Sequence, residues 1–213
     1  MDVVPSAATL AAYTLAVAAL AITPGPDMAL FLGKTLSHSR RAGFAALLGA
    51  LTGTLVHTML VAVGLSALLA ASATAFLVLK VVGAVYLLWL AVDAVRNGSA
   101  FNVAAAARSE TLGAVYLKGI AINLLNPKIV MFFLTFLPQF ISPTDPDAAG
   151  KLVVLGVWFA VVGAPICGVM ILFAGALSRL LARSRRARRA LDYIFASVLA
   201  GFAVKLITAR ATP

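Results

Sequence analysis

The sequence predicts an all-α integral membrane protein of six transmembrane helices, arranged as two inverted three-helix repeats with helices 1 and 4 broken. Three observations carry this. Of 213 residues, 62% are hydrophobic and 11% are charged, against roughly 25% charged in a soluble domain, and mean hydropathy is +1.04. Apolar segments long enough to span a bilayer, roughly 20 residues each, follow one another with short connections. The two halves also echo each other: Pro24-Gly25-Pro26-Asp27 in the first, Asn126-Pro127-Lys128 in the second.

The first span lies between Asp2 and Lys34, where Asp27 is the only intervening charge. It is longer than one straight helix needs, which suits an interruption at the two prolines. The start, MDVVPSAATL, has no Lys or Arg, so it does not read as a removable signal and is expected to remain as a span. A second span is expected near 43–69 and a third near 74–95, separated by a turn in AASATA (70–75). Residues 96–111 form the most loop-like segment of the first half. A fourth span covers about 112–140, broken at Asn126-Pro127. SPTDPDAAG (142–150) is a loop, a fifth span covers about 151–178 with a bend at Pro165, and a sixth lies near 190–207. The chain thus divides into repeat 1 (about 3–95), a cytoplasmic loop (96–111) and repeat 2 (about 112–207) within one transporter domain, 1–213.

Basic residues set the orientation. Lys34, Arg40 and Arg41, then Arg96, Arg108 and Lys118, then the six arginines from Arg179 to Arg189 fall in alternate connections, twelve in all. Only Lys151, Lys205 and Arg210 fall on the other side. The excess places the first set in the cytoplasm and both termini outside. The net charge of +10 is therefore a topology signal, and no nucleic-acid partner is expected.

Proline in a helix interior removes a donor and crowds the preceding turn. Freed backbone groups are tolerated in a membrane only where they face protein or a polar cavity. Such a cavity also lowers the cost of burying a charge, so the break and the charge at Asp27 explain each other. Three spans per half make the halves inverted, and paired interrupted helices in inverted repeats point to a secondary transporter with its site where the breaks meet.

The candidate substrate-binding residues are Gly25, Pro26, Asp27, Lys80, Asn123, Asn126 and Lys128, with Pro24, Pro26 and Pro127 as helix breakers. Asp27 is the acid set well inside a span, where acids are functional candidates by default, and is the expected proton carrier. It also admits a second reading, as a cap for the half-helix after the prolines or a permanent partner of a lysine. Lys80 is either a site residue or a snorkelling cation. His57 reads as a hydrogen-bonded packing residue, and Gly49 and Gly53 as a close helix contact. Asp93 and Arg96 are expected to pair. Cys167, the single cysteine, reads as a small packing residue. No metal-ligand spacing and no nucleophile–base set is visible, so no enzyme, catalytic residue, metal or cofactor is expected.

Three stretches resemble a known family: TPGPDMALFLGKTLSHSRRAGFAALLGALTG (Thr23 to Gly53), FLVLKVVGAVYLLWL (Phe76 to Leu90) and AINLLNPKIVMFFLTFLPQFI (Ala121 to Ile141). The chain is similar to the LysE/RhtB family of bacterial amino-acid exporters, departing from it at Ala91, where relatives often carry glycine. The resemblance implies a small multi-pass protein of the bacterial inner membrane that exports amino acids or related metabolites, driven by the proton gradient. An amino acid is a zwitterion: Asp27 would receive its ammonium, and Lys128 with Asn123 and Asn126 its carboxylate. Without substrate, Asp27 and Lys128 are expected to approach one another. The expected partners are the amino acid, the lipid bilayer and, as an assembly state left open, a second copy in a homodimer. The alternative function is an inverted-repeat carrier for a cation or other small metabolite.

Overall fold

A computed structural model describes residues 3–71, 110–142 and 145–184, with scattered positions between 74 and 96 and between 186 and 204. Helix α1 (Ala7–Ile22) starts at Ser6, whose hydroxyl accepts from the Thr9 N–H at 3.2 Å. It stops at Thr23 because Pro24 and Pro26 cannot donate to the next carbonyls. Helix α2 (Pro26–Ser37) begins with Pro26 in its first turn, where the missing donor costs nothing, and is bent by 52° from α1. After His38 and Ser39 comes α3 (Arg40–Ala71).

The second half repeats this punctuation. Helix α4 (Leu112–Leu124) is capped by the Thr111 hydroxyl. It gives way at Leu125-Asn126 to α5 (Pro127–Met131), which continues as a π turn (Phe132–Phe136) and a 3₁₀ turn (Leu137–Phe140). The segment Pro127–Phe140 is bent by 49° from α4. Helix α6 (Ala148–Leu172) runs as one helix through Pro165, and α7 (Ala174–Arg183) follows after Phe173. There is no strand among the described residues.

The long helix α3 packs against α4, α6 and α2, and α1 packs against α6. Small residues permit the approach. A Cβ on Gly49 would sit 2.1 Å from the Tyr116 carbonyl oxygen, and one on Gly119 2.4 Å from that of Ala46. The expected close contact at Gly49 and Gly53 is thus the α3–α4 seam. At the α3–α6 seam, a Cβ on Gly156 would meet the Thr58 hydroxyl at 2.2 Å. Between α1, α5 and α6 the core is aromatic: Phe132 lies 4.9 Å from Phe136 and 5.3 Å from Phe159 between ring centres, and Tyr13 is fully buried against them. Outward positions are apolar as well, Leu15, Leu60, Val63, Leu117 and Val161 among them. That is what lipid-facing surfaces require, since water would penalise them.

Arg40–Gly64 and Ala148–Leu172 are each long and apolar enough to cross a bilayer, and each bent pair makes a further candidate span. The breaks fall where the prolines predict them. Other boundaries differ from expectation. Helix α6 takes Ala148–Gly150 from the expected loop and stops at Leu172 rather than 178, because the chain turns at Phe173 into the separate α7. Lys34, counted with the first cytoplasmic connection, belongs to α2 and is buried, its ammonium 2.7 Å from the Glu110 carboxylate. The described positions within 74–96 and 186–204 are helical. Lys80, Asp93, half of the expected turn at 70–75 and most of the 96–111 loop lie outside the described residues, and the described positions 70, 71 and 74 are helical.

Candidate functional site

The two breaks meet, and Lys128 of the second closes the first. In an unbroken helix the Leu20 carbonyl would accept from residue 24, but Pro24 has no N–H. The Lys128 ammonium takes that place, donating to the carbonyls of Leu20 at 3.2 Å and Thr23 at 3.1 Å. Gly25 makes room for it: a Cβ there would lie 3.1 Å from the Lys128 Nζ. In the second break the same logic applies to Asn123, whose carbonyl would accept from residue 127, again a proline. That carbonyl receives the Asn126 N–H at 3.1 Å and lies 3.4 Å from the His57 Nε2. His57 stands one turn beyond Gly53 on the α3 stripe facing α4, with its ring 5.7 Å from that of Phe133.

The side chains cross in the same way. The Asn123 amide donates to Asp27 Oδ2 at 2.8 Å, tying the end of α4 to the start of α2. Asp27 sits in the first turn of α2, where the helix dipole favours a carboxylate. The Asn126 side chain caps α5 by accepting from the Lys128 N–H at 3.1 Å.

This polar set is incomplete. Asp27 Oδ1, Asn123 Oδ1 and Asn126 Nδ2 are buried and make no hydrogen bond, although unpaired buried polar atoms cost roughly 1–3 kcal/mol each. Beside them lies a cavity of about 60 Å³ bounded by Asp27, Thr54, Asn123 and Lys128 on one side and by Met28, Phe31, Ile129 and Phe159 on the other. It is well below the roughly 300 Å³ at which small-molecule pockets begin.

The structure brings Gly25, Pro26, Asp27, Asn123, Asn126 and Lys128 together at the two breaks, while Lys80 lies outside the described residues. It differs from expectation on two points. Asp27 and Lys128 share the cavity but form no direct ion pair within 4.0 Å; the ion pairs among the described residues are Lys34–Glu110, Lys118–Glu110 and Lys151–Asp145. Lys128 is taken up instead by the Leu20 and Thr23 carbonyls at the first break. Asn123, expected beside Lys128, stands with Asp27.

Away from the cavity, Glu110 is gripped by Lys34 and Lys118 at the start of α4. The Lys34 hydrogen bond holds its carboxyl below the usual carboxylate range. Lys151 and the Asp147 N–H do the same for Asp145. The Glu110 grip was not legible in sequence, because 76 positions separate Glu110 from Lys34. Thr54, Gly163 and Cys167 of the cavity wall were likewise not singled out for the site; their only signal is that they share helix faces with His57 and Phe159. Among the described residues no group of three or more His, Cys, Asp or Glu is placed to hold a metal ion.

Apolar outer faces and two bent helix pairs that meet beside a small cavity define an integral membrane protein. The chain belongs to the LysE type translocator family, whose model matches residues 18–210. It is 36% identical to a homoserine/homoserine lactone efflux protein of Salmonella typhimurium over 151 residues, covering 71% of this chain and 73% of that one. It is 31% identical to an uncharacterized membrane protein of Vibrio cholerae over 94% of this chain and 97% of that one. A leucine efflux protein of Klebsiella pneumoniae is 25% identical over 92% of this chain and 93% of the other. No solved structure matches at a significant level.

Proposed function

We propose that the protein is a secondary exporter that moves amino acids out of the cytoplasm and binds them where the two breaks meet. The observation that carries this is the incomplete polar set. Asp27 Oδ1 and Asn123 Oδ1 are acceptors without donors, Asn126 Nδ2 is a donor without an acceptor, and Lys128 stands by on backbone carbonyls. A zwitterion supplies both missing halves: its ammonium completes the acceptors, its carboxylate completes Asn126 and draws on Lys128. The efflux proteins among the relatives support an amino-acid cargo. A metal-cation carrier fits less well, because the acid at this cavity is accompanied by a lysine.

In this reading Asp27 also carries the coupling proton, and the protein lies in the bacterial inner membrane with both termini outside. Its six spans form two inverted repeats, 3–95 and 112–207. The similar bends, 52° and 49°, and the closure of the first break by Lys128 of the second support that pairing. The test is an export screen: cells fed dipeptides are followed for the release of each amino acid with and without expression. Faster release of at least one amino acid is expected. Unchanged release of all of them rejects the reading.

A further inference from the structure

The glycines of this protein fall into two kinds. At the helix seams a side chain has nowhere to go: a Cβ on Gly53 would lie 2.7 Å from the Asn123 Oδ1, and one on Gly156 2.2 Å from Thr58. Gly163 is different. It is buried within α6, yet a Cβ there would meet no heavy atom within 4 Å. Packing does not demand a glycine at this position, nor does the backbone, which is ordinary helix with no positive φ. Pro165 does not demand it either, since its ring crowds the carbonyl of Val161 and restricts Ala164. A glycine inside a helix weakens that helix relative to alanine, so its presence here calls for another reason.

The reason lies in what Gly163 faces. Phe159, Gly163 and Cys167 are spaced four residues apart on one face of α6, and all three line the cavity at the breaks. The same cavity is lined by Asp27, Asn123 and Lys128. Met28, Phe31 and Ile129 are among the apolar residues of the lining, and among the described residues that line the cavity Asp27 and Lys128 are the charged ones. A ligand held by its charged groups at the breaks would therefore direct its side chain along α6, into the space that the missing Cβ leaves open.

We propose that Gly163 sets the size of the substrate side chain this carrier accepts, and that the accepted side chains are uncharged. This rests on the reading of the cavity as the amino-acid site. The test uses the full-length protein with Gly163→Ala and Gly163→Val, beside Gly156→Val as a seam control. Proteoliposomes loaded with equal leucine and alanine report the efflux ratio, and size-exclusion chromatography with thermal unfolding reports folding. Both Gly163 variants fold as the wild type does, whereas Gly156→Val does not. The leucine-to-alanine ratio falls several-fold with the added methyl of Gly163→Ala and by about tenfold or more in Gly163→Val, the range in which pockets discriminate single methylenes.

An unchanged ratio in folded Gly163→Val overturns the proposal, as does a failure of Gly163→Ala to fold. If the wild type releases neither amino acid, the proposal is overturned for these uncharged side chains, while the amino-acid reading itself falls only if the export screen finds no amino acid released faster. Cys167, the only cysteine of the chain, then decides whether Gly163 opens on the cavity. Gly163→Val slows its alkylation by a small maleimide in membranes if the two residues share that space, and an unchanged rate overturns the assignment.

Discussion

Replacing Lys128 by methionine is the sharpest probe of how the broken helices are held. Methionine keeps most of the length and volume of the lysine stem, so the change isolates the ammonium. Two charge-assisted bonds are lost, to the Leu20 and Thr23 carbonyls at 3.2 and 3.1 Å. Bonds of this kind contribute roughly 1.5–3 kcal/mol each. Both are long, which favours the lower figure and gives about 3 kcal/mol for the pair, close to a hundredfold in the folding equilibrium. Asp27→Asn is the comparison, because it preserves shape and leaves an oxygen for the Asn123 amide; about 1 kcal/mol is expected there.

Mixed-micelle unfolding in dodecyl sulfate, followed by tryptophan fluorescence, measures both. The order matters more than the values. A Lys128→Met variant no less stable than Asp27→Asn would show that the ammonium does not hold the first break. The double variant extends the test. Direct partners would restore each other's loss when both are neutralised, with coupling up to roughly 4 kcal/mol for contact at 4 Å and a dielectric of 20. Here the charges do not touch, so the double variant keeps at least the cost of the two abandoned carbonyls.

Three further outcomes are expected. Reporter fusions at 142–150 read as external and fusions at 183–189 as cytoplasmic, as the distribution of basic residues requires; a cytoplasmic reading at Asp145 reverses the orientation. Asp27→Asn abolishes efflux against a gradient while sparing downhill exchange, measured in energised vesicles, and undiminished uphill efflux removes Asp27 from coupling. Because Lys34 holds the Glu110 carboxyl low, its contribution to stability is full above the unfolded carboxylate value of about 4.3 and is lost as pH falls through the lower folded value. The Tm difference between wild type and Glu110→Gln therefore shrinks below about pH 4, and a difference constant from pH 7 to 3 excludes that linkage.

The breaks were legible in sequence because proline is a local signal: Pro24 cannot continue α1, Pro26 and Pro127 each open a new helix, and Asp27 and Lys128 follow directly. The Gly49–Gly53 seam was legible for the same reason, as a spacing within one helix. What joins elements far apart was not. Lys34 reads as a loop cation because it lies near Arg40 and Arg41, and only the fold brings it to Glu110. Asn123 and Asn126 are equivalent in sequence, yet one reaches Asp27 while the other caps α5. Gly163 looks like Gly156 in the string of letters; what surrounds each of them separates a seam from an opening.

The absence of a direct Asp27–Lys128 pair is also the feature that keeps the site receptive. A contact pair would satisfy both charges and force a zwitterion to displace a strong internal bond before binding. Instead, Lys128 donates to the Leu20 and Thr23 carbonyls at the end of α1, and Asp27 takes one amide bond and keeps Oδ1 unpartnered. Each charge is thus stabilised by neutral groups, which offset part of the cost of burial without using up the charge. The prolines make this arrangement available, since without them Leu20 and Asn123 would have ordinary helical partners and Lys128 would have only Asp27 to turn to. Breaking two helices therefore does more than open a space in the membrane. It supplies the carbonyls that keep a base and an acid near one another and apart.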